Sequence, residues 1–201
     1  AYPGDPNNLN SVNAFLFSVA HIPNCLDRVN CLLVRCTFTK ERDRIVGSLR
    51  DFMADCRLVE ENPHFLFLLD YVLEIGNYLN GTSSRGGAVG FHLDILPQLE
   101  RTKSNDGSVT LVNKVVASKP EVLQVIQEFD GLQRRTELSL VDINKSIAAV
   151  NASLNNVKKQ IAKPPLNDQD LFAEQMKGFY ESANEELKKL RELYKEGEET
   201  Y

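Results

Sequence analysis

Apolar residues recur along this chain at helical spacing, and the last third carries the longest run. Leu140, Ile143, Ile147, Val150, Leu154, Val157 and Ile161 alternate at steps of three and four. That is an unbroken heptad seam, roughly 33 Å long at about 1.5 Å per residue. Pro164-Pro165 and Asn167-Asp168 interrupt it. A second amphipathic segment then starts near Leu171, with Phe172, Met176, Phe179, Ala183, Leu187, Leu190 and Tyr194 on one side. A short proline-rich turn between two long helices predicts an antiparallel, coiled-coil-like stalk.

The first two thirds also read as helices with clear punctuation. Residues 1–8 carry prolines, a glycine and asparagines and predict a non-helical start. Val12, Phe15, Leu16 and Val19 then mark one face of a short helix, which Pro23 stops. Leu26, Val29, Leu33 and Cys36 predict the buried face of the next segment, and Ile45, Leu49, Phe52, Cys56 and Val59 continue the pattern. The charged stretch Lys40–Arg44 between them predicts a solvated face. Asn62-Pro63 is a helix start, an amide cap followed by proline at the first helical position. From Phe65 to Leu79 apolar residues fall on every side, which predicts the central, most buried helix, ending at Asn80-Gly81. A short helix around Leu93, Leu96 and Leu99, a turn at Asn105-Asp106-Gly107, and helices over Val109–Val116 and Val122–Phe129 follow, with Asp130-Gly131 ending that block. No segment shows strand alternation, so the predicted class is all-α: an elongated helical domain with a compact helical post and a long stalk.

One stretch departs from this monotony. Ile75-Gly76-Asn77-Tyr78-Leu79-Asn80-Gly81 leads into Ser84-Arg85-Gly86-Gly87-Ala88-Val89-Gly90-Phe91. Glycine admits a close backbone, an asparagine amide pairs with a backbone in both directions, and tyrosine offers a face and a hydroxyl. Set at the tip of a rigid helix, this combination predicts a docking surface rather than a catalytic one.

Composition narrows the class. The chain has 201 residues, 42 % of them hydrophobic, enough for a core. A net charge of −5 argues against a nucleic-acid partner, which wants a basic face. No apolar run reaches the ~18 residues of a membrane span, and no secretory signal is recognisable, so a cytoplasmic location is expected. Cys25, Cys31, Cys36 and Cys56 form no metal-ligand pattern and read as small buried residues on helix faces. His21, His64 and His92 lie on different elements without a partner at triad or ligand spacing. The glycines from Gly86 to Gly90 lack the preceding strand and the Gly-Lys-Ser/Thr end of a phosphate loop. No enzymatic activity, metal or other cofactor is expected.

The order of these motifs resembles the formin homology-2 domain, the actin-assembly core of formins. The matching residues are Phe15-Leu16 with Ile22-Pro23; Leu26, Arg28, Val29, Leu32, Leu33 and Phe38; Leu73-Glu74-Ile75-Gly76-Asn77-Tyr78-Leu79-Asn80; Arg85-Gly86 to Ala88 with Gly90-Phe91; Thr102-Lys103-Ser104, Asp106 and Thr110-Leu111; Pro120-Glu121-Val122-Leu123; and Val141-Asp142 onward. Leu111-Val112-Asn113 departs from the Leu-Leu-His usual there. The resemblance implies three parts: a knob remnant with stalk helices over 1–61, a post-like block over 62–132, and returning coiled-coil helices over 133–201. It further implies that a lasso, a linker and part of a knob precede residue 1, that the last helices follow Tyr201, and that these residues alone are impaired in assembly.

Mechanistically, the resemblance implies a head-to-tail dimer that nucleates actin filaments and caps their barbed ends processively within the cytoskeleton. Gly76, Asn77, Tyr78, Asn80, Gly90 and Phe91 would then form the post surface that receives the lasso of a second formin subunit, and Lys103 would contact actin. The competing reading is a helical scaffold or coiled-coil interaction module with no actin role.

Overall fold

The computed structural model describes residues 10–20, 22–104, 106–134 and 139–200. The start at 1–8, His21 and Asn105 lie outside the described residues. Nine α-helices are described: α1 Ser11–Ala20, α2 Cys25–Glu61, α3 Pro63–Asn80, α4 Leu96–Arg101, α5 Leu111–Ser118, α6 Gln124–Glu128, α7 Asp130–Arg134, α8 Leu140–Ile161 and α9 Phe172–Thr200. Short 3-10 turns at Leu93–Ile95 and Pro120–Leu123 precede α4 and α6. No strand is present among the described residues, only an isolated antiparallel bridge between Lys103 and Thr110. The class is all-α, and the chain divides into two compact units, one within Ala1–Phe52 and Leu138–Tyr201, the other within Met53–Glu137.

The first unit is built on the heptad seam. Ile143, Ile147, Val150, Leu154 and Val157 of α8 are buried, as are Met176, Ala183, Leu187 and Leu190 of α9. The hairpin is joined by α2 as a third helix, which the heptad pattern did not reveal. Phe38 meets Phe179 edge-on at 5.7 Å between ring centroids, and Arg42 reaches Glu186 at 3.4 Å, so α2 and α9 ascend together. Asp27 accepts from the Gln160 amide at 3.1 Å, and Arg44 donates to the Ser146 hydroxyl at 3.0 Å, so α8 runs the opposite way.

This geometry corrects the expected face of α2. Cys31, Phe38, Ile45 and Leu49 are buried and Val34 packs against them, whereas Leu26, Val29, Leu33 and Cys36 are exposed. The true stripe was hidden because charged Glu41 and Arg42 stand where it would continue. Arg42 is accommodated there by its ion pair with Glu186, so the charged stretch is not simply a solvated face. Of the four cysteines only Cys31 is buried; Cys25 and Cys56 are half-buried. On α1 the apolar residues Val12, Phe15 and Leu16 are exposed, and the chain turns after it through Asn24 at φ 56°.

The second unit gathers short helices against α3. Asn62 caps α3 by accepting from the Phe65 N–H at 2.8 Å, and Pro63 follows at the first helical position. The Asn62 amide donates to Glu128 at 2.7 Å, and Phe65 lies 5.3 Å from Phe129 between centroids, which anchors the start of α3 to α6. The amide, then His64, hold the Glu128 carboxyl below its ordinary range. Lys119 sits over the stacked rings of Phe67 and Tyr71, at 5.7 and 5.9 Å.

Yet α3 is not the most buried helix: only Val72 is fully buried on it, and Leu66, Tyr78 and Leu79 are exposed. Its neighbours are too short to enclose an all-apolar helix. Asp130-Gly131 does not end the block but opens α7, where an acidic residue in the first turn suits the helix dipole.

Candidate functional site

The end of α3 determines the local geometry. Gly81, at φ 51°, turns the chain off the helix and donates its N–H to the Asn77 carbonyl at 3.0 Å. The loop then folds back through Ser83 N–H to Asn80 O at 3.0 Å and Gly86 N–H to Ser83 O at 2.9 Å. At Gly86 the two arms touch: a Cβ there would lie 1.9 Å from the Gly81 carbonyl oxygen, so only glycine closes this loop without displacement. Gly87 adds a second left-handed residue at φ 69°. The side-chain amide of Asn77 meets the returning arm of the loop. Its Nδ2 donates to Ala88 O at 2.9 Å, and its Oδ1 accepts from Ala88 N–H at 2.7 Å.

A groove of ≈390 Å³ opens between α3 and this loop. Five of the six residues expected to form a docking surface line it: Gly76, Asn77, Asn80, Gly90 and Phe91. Tyr78 does not; it is 85 % exposed, one residue round the helix from the lining positions. Leu73 of α3, with Ile95, Leu99 and Leu111, supplies the apolar wall. The last three come from three further elements, so no local pattern could have grouped them with the motif. Around Gly76 and Gly90 there is open space: a Cβ at either would meet nothing within 4 Å.

Lys103 lies beside the groove, on the bridge that pairs it with Thr110. Backbone bonds from Ser104 N–H to Val109 O and from Leu111 N–H to Thr102 O, both 2.8 Å, hold this hairpin. Asp106 ties its tip by accepting from the Ser104 hydroxyl, from Ser108 N–H at 3.0 Å and from the Ser108 hydroxyl at 2.7 Å. These bonds, the Ser104 hydroxyl foremost, lower the Asp106 carboxyl to about 2. Thr110 caps α5 by accepting from Asn113 N–H at 3.2 Å. A second cavity of ≈360 Å³ is lined by Lys103, Lys114 and Leu79, among others. Lys103 is exposed, and no carboxylate pairs with it among the described residues.

Of the described histidines, His64 pairs with Glu128, while His92 lies just before the 3-10 turn at Leu93–Ile95. Among the described residues no group of His, Cys, Asp and Glu could hold a metal ion, and no helix is long and apolar enough to cross a membrane.

The described residues thus present an all-α framework with a groove at the tip of α3. Comparison with known proteins assigns its family. The chain matches the Formin Homology 2 Domain over residues 1–201 and belongs to that family. It is 28 % identical to formin-like protein 13 of Arabidopsis thaliana over 96 % of its own length and 16 % of that protein's. It is 24 % identical to human protein diaphanous homolog 3, over 100 % of this chain and 17 % of the relative. With human formin-2 it shares 30 % identity over 78 % of this chain and 10 % of that protein. The chain thus spans about a sixth or less of the length of these curated relatives.

Proposed function

We propose that this chain is an actin-binding part of a formin, serving a domain that nucleates filaments and caps their barbed ends as a head-to-tail dimer. In this reading residues 1–61 and 133–201 supply the stalk, and residues 62–132 supply the post. The groove at the end of α3 receives an extended, aromatic-bearing segment of a second subunit, and Lys103 contacts the acidic surface of actin. The observation that carries the reading is the groove itself: five motif residues share one cavity, and its two glycines face open space. No internal contact requires glycine at 76 or 90, whereas a close-approaching foreign backbone would. One docked aromatic burying about 150–250 Å² is worth roughly 4–6 kcal/mol at about 25 cal/mol/Å², before ordering costs. Tyr78, outside the groove, would contact the docked segment only along its rim.

The chain contains no tryptophan, so indole fluorescence reports a tryptophan-bearing ligand without background. The expected result is a blue-shifted, saturable signal when an acetylated Gly-Ser-Trp-Ser-Gly amide is titrated in, abolished by Gly76→Leu, which fills the groove from a position with room for the side chain. A peptide that binds equally well after Gly76→Leu would sink the groove assignment. For the actin contact, Lys103→Glu should reduce co-sedimentation with filaments at least fivefold and leave helicity unchanged. A scaffold without an actin role predicts no sedimentation in either form.

A further inference from the structure

The two asparagines of the motif look alike in sequence, but the structure gives them different partners. The Asn77 side chain is committed inside the chain, with both faces of its amide on Ala88, at 2.9 and 2.7 Å. Its backbone carbonyl accepts from Gly81 as well. The Asn80 side chain makes no hydrogen bond among the described residues, is exposed, and lines the same groove. Ala88, Gly90 and Phe91 form the wall of the groove that the loop contributes.

We infer that Asn77 is a positioning residue, a latch that fixes the Ala88–Phe91 wall against α3, while Asn80 is the amide that pairs with the docked backbone. This rests on the docking reading above and divides its labour between residues. An amide that both donates to and accepts from one residue acts as a short piece of β-ladder and fixes that residue in position and orientation. With two bonds on Ala88 and the tight Gly81–Gly86 contact further up the loop, the wall is held at two points. The groove is therefore preformed, and a docking segment is spared the cost of ordering the loop. Asn77 has one N–H and one lone pair left, whereas Asn80 has its full capacity available.

The test combines amide hydrogen exchange at Ala88 with binding of the same tryptophan peptide, in the full chain. Asn77→Ala should raise Ala88 exchange about tenfold and weaken the peptide by a similar factor, as expected for loss of two partly exposed hydrogen bonds. Asn77→Asp keeps the acceptor for the Ala88 N–H and loses the donor, so its exchange should fall between wild type and Asn77→Ala. Gly86→Ala displaces the loop from its other anchor without altering a lining residue, and should reproduce both effects with Asn77 intact. Asn80→Ala should weaken the peptide while leaving Ala88 exchange at the wild-type rate. The assignment is overturned if Asn77→Ala weakens the peptide with Ala88 exchange unchanged, or if Gly86→Ala moves the loop and binding does not respond. A wild-type chain that ignores the peptide would count against the docking reading alone, and Ala88 exchange would still decide whether Asn77 is the latch.

Discussion

Asp170 shows how far a single side chain can lie from anything a local pattern records. It receives a two-pronged bond from Arg28 at 3.0 and 2.6 Å, and accepts from the N–H groups of Leu166 at 2.8 Å and Phe172 at 3.1 Å. Arg28 also lies over the Phe172 ring at 4.7 Å. The start of α2 is thereby clamped to the turn between α8 and α9. The Arg28 guanidinium first, then the Leu166 and Phe172 amides, hold the Asp170 carboxyl well below the usual carboxylate range. A depressed folded value stabilises the fold fully above the unfolded value, about pH 4, and that contribution is lost as pH falls toward the folded value. Asp170→Asn should therefore melt several degrees lower than wild type at pH 7, and thermal melts should show the gap narrowing from pH 4 to pH 2. A gap independent of pH would assign the clamp to shape rather than charge. Nothing in the local sequence pairs residue 28 with residue 170; only the approach of two helices does.

Among the elements, α8 was the most legible and α2 the least. The seam of α8 is regular, and branched apolar residues fill its interior from Ile143 to Val157, so periodicity located the buried face up to the buried Gln160 near its end. On α2 two apolar stripes compete. Leu26, Val29 and Leu33 keep perfect spacing and face solvent, while the buried stripe is broken by Glu41 and Arg42. Denaturant unfolding can separate the two. Leu154→Ala removes a side chain that is 2 % exposed and should cost about 2–5 kcal/mol. Leu26→Ala, at a residue 79 % exposed, should change stability by no more than about 0.5 kcal/mol. Equal costs would restore the stripe that spacing favoured. Element ends were read well at Asn62 and at Asn80-Gly81, where the capping bond lies within a few residues, and less well at α5, which starts at Leu111 behind the Thr110 cap rather than at Val109. They were read poorly at Asp130-Gly131, where a turn dipeptide starts a helix instead of stopping one.

Across the whole molecule the two units differ in how they are held. The first has a continuous interior running from Phe38, Ile45 and Leu49 to Ile143, Leu154, Leu187 and Leu190. In the second the buried apolar residues are Met53 and four valines, Val72, Val115, Val122 and Val125, and the helices packed around α3 are short. Local opening follows such differences in buried contact. Native-state hydrogen exchange should therefore leave the central turns of α8 and α9 protected longest, with α4, α5 and α6 exchanging at least tenfold faster. Equal protection throughout would mean that the second unit is as firmly held as the first.

By itself the sequence determined the all-α class, the α8–α9 seam, the cap at Asn62 and the motif at the end of α3, because each follows from spacing or from bonds between near neighbours. The groove was half legible. Gly76, Asn77, Asn80, Gly90 and Phe91 stand together in the chain, but Ile95, Leu99 and Leu111 join them only in space. Tertiary structure decided which stripe of α2 is buried, that α3 stays partly open, and that Tyr78 turns away from the groove. It also decided which asparagine is committed and which is available. These outcomes depend on where neighbouring elements stop and how the loop folds back, and no local periodicity carries that information.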